Sequence, residues 1–165
     1  MTQLIVLSAI GNDRTGMVQD ITEVILNCGG NIEESRMTTL GTEFAMLMLV
    51  SGNWHTLNRL EKGLEKLDDG DLTFTIRKTA ERAVKQDRMP YAVDVVSLDH
   101  EGIVYSLASF FASHDIEIAD VATRSYPAAH TGAPMFAVQM SVNVPSSIHI
   151  AQLREEFLEL SDRLN

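Results

Sequence analysis

The residues best suited to chemistry stand in one short loop, Asn12-Asp13-Arg14-Thr15-Gly16, between an apolar segment and an amphipathic one. A loop at the start of a helix presents free backbone N–H groups and the positive end of the helix dipole, and both attract an anion. The Asp13 carboxylate can accept hydrogen bonds from an ammonium group, and the Arg14 guanidinium can pair with a carboxylate. The loop therefore predicts a binding site for a small anion or zwitterion, such as an amino acid, with the following Met17 at its edge.

A purely structural role for the same loop is the alternative. Asp13 or Thr15 can cap the helix that begins near Met17, because their side-chain oxygens can accept a bond from a free N–H. In that case Gly16 only permits close packing of helix and strand, and Arg14 is a solvated charge. The residue types and their spacing leave both interpretations open.

A second candidate element follows the predicted helix. Asn31 and Ile32 open a polar segment that is typical of an edge strand, and the Asn31 amide can serve both ends of an α-amino acid because it donates and accepts. We expect Asn31 to face the loop of residues 12–16. The alternative is a turn residue that follows Gly29 and Gly30.

The strand–loop–helix pattern recurs 86 residues later, as the pairs Asp13/Asp99 and Gly16/Gly102 show. The chain is therefore predicted to be a duplication of one unit. The second loop has lost the permanent cation, so the two loops cannot bind the same ligand in the same way. The candidate residues of the second copy are Asp99, His100, Gly102 and Glu117, the last at the position of Asn31.

Apolar periodicity predicts the order β-α-β-β-α-β, an α+β arrangement of the ferredoxin-like type, in each copy. The copies are assigned to residues 1–79 and 91–165, joined by a charged linker at 80–90. Asn53 is expected to cap the second helix, and Asp68-Asp69-Gly70 to end it. The second copy lacks the last strand, so residues 91–98 need a neighbour, either from a further tail or from another chain.

Composition argues against several classes of protein. With 13 basic and 23 acidic residues the formal net charge is −10, which disfavours direct contact with nucleic acid or an anionic membrane. The apolar run of residues 4–10 is too short to span a bilayer. Cys28 is the only cysteine, so no intrachain disulfide can form, and a cytoplasmic location is expected. The five histidines form no close pair at metal-ligand spacing, so neither a metal nor a cofactor is predicted.

The loop of residues 12–18, the run Asn31-Ile32-Glu33-Glu34-Ser35-Arg36 and the segment Ser51-Gly52-Asn53-Trp54 carry a family resemblance. The first copy resembles the ACT regulatory domain, and the tandem arrangement resembles the glycine cleavage system transcriptional repressors. The resemblance implies two tandem ACT domains and an amino acid, with glycine or serine as first candidates, bound where two such domains meet. It assigns ligand contacts to residues 12–16 and to Asn31 and Ile32.

The resemblance also implies that this protein acts through a DNA-binding activator protein and does not contact DNA directly. The domains are expected to pair within one chain or in a homodimer. Thr15 stands where the family often has proline. The rival class is a small enzyme that uses Asp13 and Arg14 on an acyl phosphate, because acylphosphatases share the fold; their arginine-terminated loop is absent here. An RNA-binding role ranks last, because Phe44 is the only aromatic residue in segment 43–51.

Overall fold

The computed structural model describes residues 2–67 and 70–164, which divide between Ala83 and Val84 into two compact units. Both units are α+β, as the hydrophobic pattern predicts. Unit 1 contains β1 (Gln3–Asn12), α1 (Met17–Asn27), β2 (Asn31–Leu40), β3 (Glu43–Gly52), α2 (Trp54–Leu67) and β4 (Thr73–Thr79). Unit 2 contains β5 (Arg88–Leu98), α3 (Ile103–Ser113), β6 (Glu117–Pro127), β7 (Pro134–Pro145) and α4 (Ile150–Leu164).

The sheet of unit 1 has the order β2-β3-β1-β4, and every neighbouring pair is antiparallel. β1 is interior and β2 lies at an edge, as their apolar and charged sequences predict. One face of the sheet carries the core: Ile5 and Leu7 of β1 are at most 1% exposed and cluster with Ile21, Ile25 and Leu64 of the two helices. β1 is paired on both edges, with β3 on one side and β4 on the other, so no edge of this central strand is exposed.

The ends of the helices in unit 1 follow local chemistry. Asn53 caps α2 as predicted, because the Thr56 N–H donates to Asn53 Oδ1 over 3.0 Å. Gly29 ends α1 in a left-handed conformation at φ +80°, and its neighbour Gly30 donates to the Ile25 carbonyl over 2.9 Å. The predicted end of α2 at Asp68 and Asp69 lies outside the described residues.

The sheet of unit 2 has the order β5-β7-β6, with three strands among residues 84–164. β5 begins at Arg88, so three residues that the sequence assigns to the linker belong to the strand. The cause is tertiary: Arg88 pairs with Pro145 of β7, and its guanidinium donates to the Asp115 carbonyl over 2.9 Å. β5 therefore lies at an edge, as the absence of a final strand from the pattern predicts.

The cores of the two units differ in closure. In unit 1, α2 buries Leu60 and Leu64 completely, whereas α4 of unit 2 has no fully buried residue. Unit 2 packs around Leu107 and Phe111 of α3, with Phe157 and Leu160 of α4 half-buried against them. Neither α4 nor any other helix in the described part of the chain is long and apolar enough to cross a membrane.

Candidate functional site

Gly16 sets the geometry of the first loop. It occupies the N-cap position of α1 in the left-handed conformation, at φ +91° and ψ −3°, and its carbonyl accepts the Asp20 N–H over 2.9 Å. No side chain caps the helix, so the prediction that Asp13 or Thr15 does so is wrong. The reason is that a glycine with no side-chain oxygen holds the cap position. The expected close packing at Gly16 is also absent, because a Cβ there would approach only Arg14, at 3.9 Å.

Asp13 is held by its backbone, and its side chain is left exposed. Its N–H donates to the Thr42 carbonyl of the β2–β3 turn over 3.0 Å, which fixes the loop against that hairpin. Its carboxylate is exposed and makes no hydrogen bond to the described residues. Across residues 2–67 and 70–164, no acceptor contacts the N–H groups of Thr15, Gly16 or Val18 either. Backbone donors and one carboxylate are thus available side by side.

Asn12 is held by a residue that the sequence analysis missed. The Asn12 N–H and the Asn12 Nδ2 each donate to the Asp71 carboxylate over 2.8 Å. The register of the β1–β4 pair would have identified this partner. Ile10 lies opposite Thr73, so the same antiparallel register brings Asn12 to Asp71. Both hydrogen-bonding groups of Asn12 thus bind the Asp71 carboxylate of the same unit. They anchor the loop to the segment just before β4.

Arg14 and Met17 have different surroundings. The Arg14 guanidinium is about half exposed and pairs with Asp20 over 2.9 Å, which leaves further N–H groups for a ligand. Arg14 also borders a small cavity with Ile21 and Leu72. Met17 is 5% exposed and belongs to the core, so its side chain faces away from solvent. Of these two predicted contacts, only Arg14 presents its side chain at the surface.

Asn31 lies in a hydrogen-bonded cluster at a β-bulge. The register of β2 against β3 shifts between Ile32 and Glu34, so Glu33 is the extra residue. The Glu33 carboxylate accepts the Ser51 hydroxyl over 2.5 Å and Asn31 Nδ2 over 3.0 Å. The Ser51 bond and then the Asn31 bond hold the pKa of Glu33 below its usual value. Ile32 is half-buried against the core, so its side chain is structural.

The first loop and Asn31 lie at opposite ends of the unit 1 sheet. Asn31 pairs with Ser51, and Ser51 pairs with Leu4 at the start of β1, whereas the loop follows Asn12 at its end. Eight residues at 3.3 Å each separate these points by about 26 Å. The expectation that Asn31 faces the loop is therefore wrong within one unit. The reason is topological: α1 returns the chain to the starting end of β1 before β2 begins.

The loop of unit 2 has the same backbone conformation as the loop of unit 1, but its side chains are engaged in hydrogen bonds. Gly102 occupies the N-cap position of α3 at φ +85°, and the Asp99 N–H donates to the Pro134 carbonyl over 2.9 Å. The Asp99 carboxylate, unlike that of Asp13, accepts the Ser125 hydroxyl at 3.3 Å. His100 places Nε2 2.8 Å from the Leu164 carbonyl, and so ties the loop to α4.

The remaining candidates have structural contacts. Glu117 at the start of β6 pairs with Lys85 over 2.5 Å. Burial raises the pKa of the Cys28 thiol, which packs against the core of unit 1. Among residues 2–67 and 70–164, no group of three His, Cys, Asp or Glu side chains is placed to hold a metal ion.

Comparison with known proteins links this geometry to a family. The ACT domain model matches residues 3–77, which covers the sheet and both helices of unit 1. The chain is 32% identical over 162 residues to the glycine cleavage system transcriptional repressor of Escherichia coli. That alignment spans 98% of this chain and 85% of the E. coli protein.

Solved structures agree over both units. A crystal structure of a protein from Galdieria sulphuraria is 30% identical, with a TM-score of 0.74 over 99% of this chain and 92% of that chain. A structure assigned as a glycine cleavage system transcriptional repressor is 29% identical, with a TM-score of 0.70 over 99% of this chain and 93% of that one. Both tandem units therefore have counterparts of known structure.

Proposed function

The chain belongs to the family of the glycine cleavage system transcriptional repressors, and from that premise we propose that it senses a small amino acid through the first loop of unit 1. The regulatory signal then passes to a protein partner. The observation that carries this proposal is the open N-terminus of α1 beside an unengaged carboxylate. The N–H groups of Thr15, Gly16 and Val18 and the Asp13 carboxylate have no partner within the described residues.

This pairing of donors and acceptor matches an α-amino acid. The ligand carboxylate binds the N–H groups at the start of α1, where the helix dipole favours negative charge, and the free N–H groups of Arg14 strengthen that contact. The ligand ammonium group binds the Asp13 carboxylate. Glycine and serine are the first candidates, because the chain resembles the glycine cleavage system transcriptional repressors.

A contribution from Asn31 requires a second copy of unit 1. Since the loop and Asn31 are about 26 Å apart within the unit, one ligand can touch both only if they come from different chains. Two copies side by side in antiparallel orientation would bring the loop of one to the start of β2 of the other. We therefore propose a homodimer as the ligand-binding form, with Asn31 and the backbone of Ile32 supplied in trans.

Regulation through a protein partner is what the family of this chain implies, and the charge agrees with it. The net charge of −10 opposes contact with the phosphate backbone. The proposed partner, from the family resemblance, is a DNA-binding activator protein, and direct DNA binding is not part of the proposal. We assign no catalysis to the loop. The sequence lacks the arginine-terminated loop that acylphosphatases use to hold phosphate.

The test is the thermal stability of the protein against each of the twenty amino acids. Ligand at one hundred times its dissociation constant should add about 2.7 kcal/mol to the free energy of unfolding. We expect Asp13→Ala to remain folded and to lose this response. The matched control is Asp99→Ala at the equivalent position of unit 2, which should keep it. A flat response of the unmodified protein to all twenty amino acids would refute the sensing role and leave a purely protein-binding regulator.

A further inference from the structure

The sheet of unit 1 has a second face, opposite the one on which α1 and α2 pack. The side chains of this outer face alternate with the core residues along each strand. β1 contributes Val6 and Ile10 to it, and β3 contributes Leu47 and Leu49. Ile10 is 52% exposed and Leu47 is 54% exposed, and the other two side chains are half-buried. The centre of the outer face is therefore an exposed apolar patch.

Opposite charges lie at the two ends of one row of residues across this face. Val6 lies opposite Leu49 on one side and opposite Arg77 on the other, and Leu49 in turn lies opposite Glu34. The row therefore reads, across the sheet from β2 to β4, Glu34, Leu49, Val6, Arg77. Glu34 makes an exposed ion pair with Arg36 over 3.2 Å. Arg77 makes no ion pair with any residue of 2–67 or 70–164, so the row ends in an unpaired cation.

This row is complementary to itself under a two-fold axis that runs parallel to the strands. Such an axis, placed between two stacked outer faces, lays β2 over β4 of the second copy and β3 over β1. Glu34 then faces Arg77 of the second copy at both ends of the row, and Leu49 faces Val6 between them. A two-fold axis across the strands would lay β4 over β4, which contains no acidic residue, and would leave Arg77 without a carboxylate. The charges therefore select the axis parallel to the strands.

The equivalent face of unit 2 does not carry the apolar patch. The position of Leu47, opposite Ser8 in unit 1, is taken by Gln139, opposite Asp94 in unit 2. Gln139 and Asp94 are both exposed, and so is Ser141, the next outward residue of β7. Apolar side chains stacked on such a face would leave an amide and a carboxylate without partners, which costs free energy. The outer face of unit 1 therefore matches a second copy of itself better than it matches the face of unit 2.

We infer that two copies of this chain associate through the outer faces of their unit 1 sheets, related by a two-fold axis parallel to the strands. The apolar patch forms the centre of the interface, and two ion pairs between Glu34 and Arg77 form its rim. This face is separate from the side-by-side contact that a shared amino-acid site requires, so either contact can form without the other. The face contact alone gives a dimer, and both contacts together give a tetramer.

The test is analytical ultracentrifugation of the full-length protein over a range of concentrations. We expect Glu34→Arg to weaken the face contact roughly tenfold, because each pair of stacked faces then holds two pairs of like charges. Adding Arg77→Glu to this variant should restore the affinity, which a loss caused only by the neighbouring Arg36 would not allow. The matched control is Asp120→Arg, at the exposed position 86 residues after Glu34, which should leave the association unchanged.

The apolar patch is tested by Leu47→Gln combined with Leu49→Ser, which gives β3 the residues that β7 has at these positions. This variant should halve the mass of the particle and keep its thermal response to amino acids, so failure of the interface and failure of the sensing site are distinguishable. A monomeric unmodified protein, or a mass that none of these variants changes, would overturn the inference. In a monomer, slow alkylation of the thiol of Leu47→Cys would identify another part of the chain as the occupant.

Discussion

The two units share the backbone of the strand–loop–helix segment and differ in what its side chains leave free. Gly16 and Gly102 take the same left-handed conformation at the N-cap, and Asp13 and Asp99 donate their N–H groups to equivalent hairpins. The Asp13 carboxylate is unengaged, whereas the Asp99 carboxylate accepts Ser125. The comparison teaches that duplication has preserved the geometry needed to turn from strand to helix and has let the chemistry of the loop diverge.

A second contrast runs in the opposite direction. In unit 1 the core is fully buried and the loop keeps free polar groups, whereas in unit 2 His100 ties the loop to α4. Within the described residues, β5 of unit 2 pairs with β7 alone, and its core-facing side chains are less buried than those of β1. Substitutions at equivalent positions can test each half of this contrast.

The largest expected difference concerns the cores. Leu64 of α2 is fully buried, and Leu160 at the equivalent turn of α4 is half-buried. Leu64→Ala should lower the free energy of unfolding of unit 1 by about 3 to 4 kcal/mol, because a closed core cannot refill the cavity. Leu160→Ala should cost unit 2 about 1 to 2 kcal/mol. Chemical denaturation followed by hydrogen exchange in each unit measures both, and equal losses would show that unit 2 is as closed as unit 1.

An intermediate and equal effect is expected at the two N-cap glycines. Gly16→Ala and Gly102→Ala each place a Cβ in a left-handed conformation, which costs about 1 to 2 kcal/mol. Neither Cβ meets a crowded neighbour, so strain alone sets the cost. Thermal unfolding of the two variants should show similar losses. A much larger loss at one of them would mean that the backbone role is not shared.

The smallest effect is on pH dependence, and its sign differs between the units. The Phe110 carbonyl, with a further contribution from Glu156, raises the pKa of His114 above 6.5. Because the folded-state pKa is the higher one, this stability is fully present below 6.5 and is lost as the pH rises through the folded-state pKa. The side chains of His114 and Glu156 are 27% and 39% exposed, so solvent screens the pair in part and about 1 kcal/mol or less is involved. His114→Gln should flatten the decline in stability of unit 2 between pH 6 and pH 8.

The matched titration in unit 1 is that of Glu33. Ser51 and Asn31 lower its pKa, so the stability is present above the usual pKa of 4.5 and is lost as the pH falls through the folded-state value. Glu33→Gln should therefore lower the stability of unit 1 by a constant amount above pH 6 and flatten the decline in stability as the pH falls below 4.5. Hydrogen exchange of β2 between pH 3.5 and pH 6 measures this, and an acid-side decline as steep as that of the unmodified protein would contradict the assignment.

Much of the fold could be read from local pattern. The apolar run of β1, the charged β2 and the cap at Asn53 each depend on neighbours in sequence, and the structure confirms them. The early start of β5 could not be read in this way, because Arg88 is held in the strand by contacts with Asp115 and Asn143. Charged composition indicated a linker where distant partners make a strand.

The candidate site was harder to predict for a related reason. Residue types predicted the loop as a candidate site. The expected side-chain caps are absent because Gly16 takes the N-cap position in a left-handed conformation, which the sequence signals only by the glycine itself. The position of Asn31 followed from topology and not from residue type, and the partner of Asn12 followed from strand register. Each of these could be derived once strand pairing was known, and none from spacing along the chain.

The separation of Asn31 from the loop of its own unit has a consequence for cellular dosage. In the homodimer that we propose, a ligand held by two copies is bound in a three-body equilibrium, so its apparent affinity rises with the concentration of the protein. Such a regulator responds weakly when scarce and sharply when abundant. The length of one β-strand would thus make the expression level of the protein a second input to the signal.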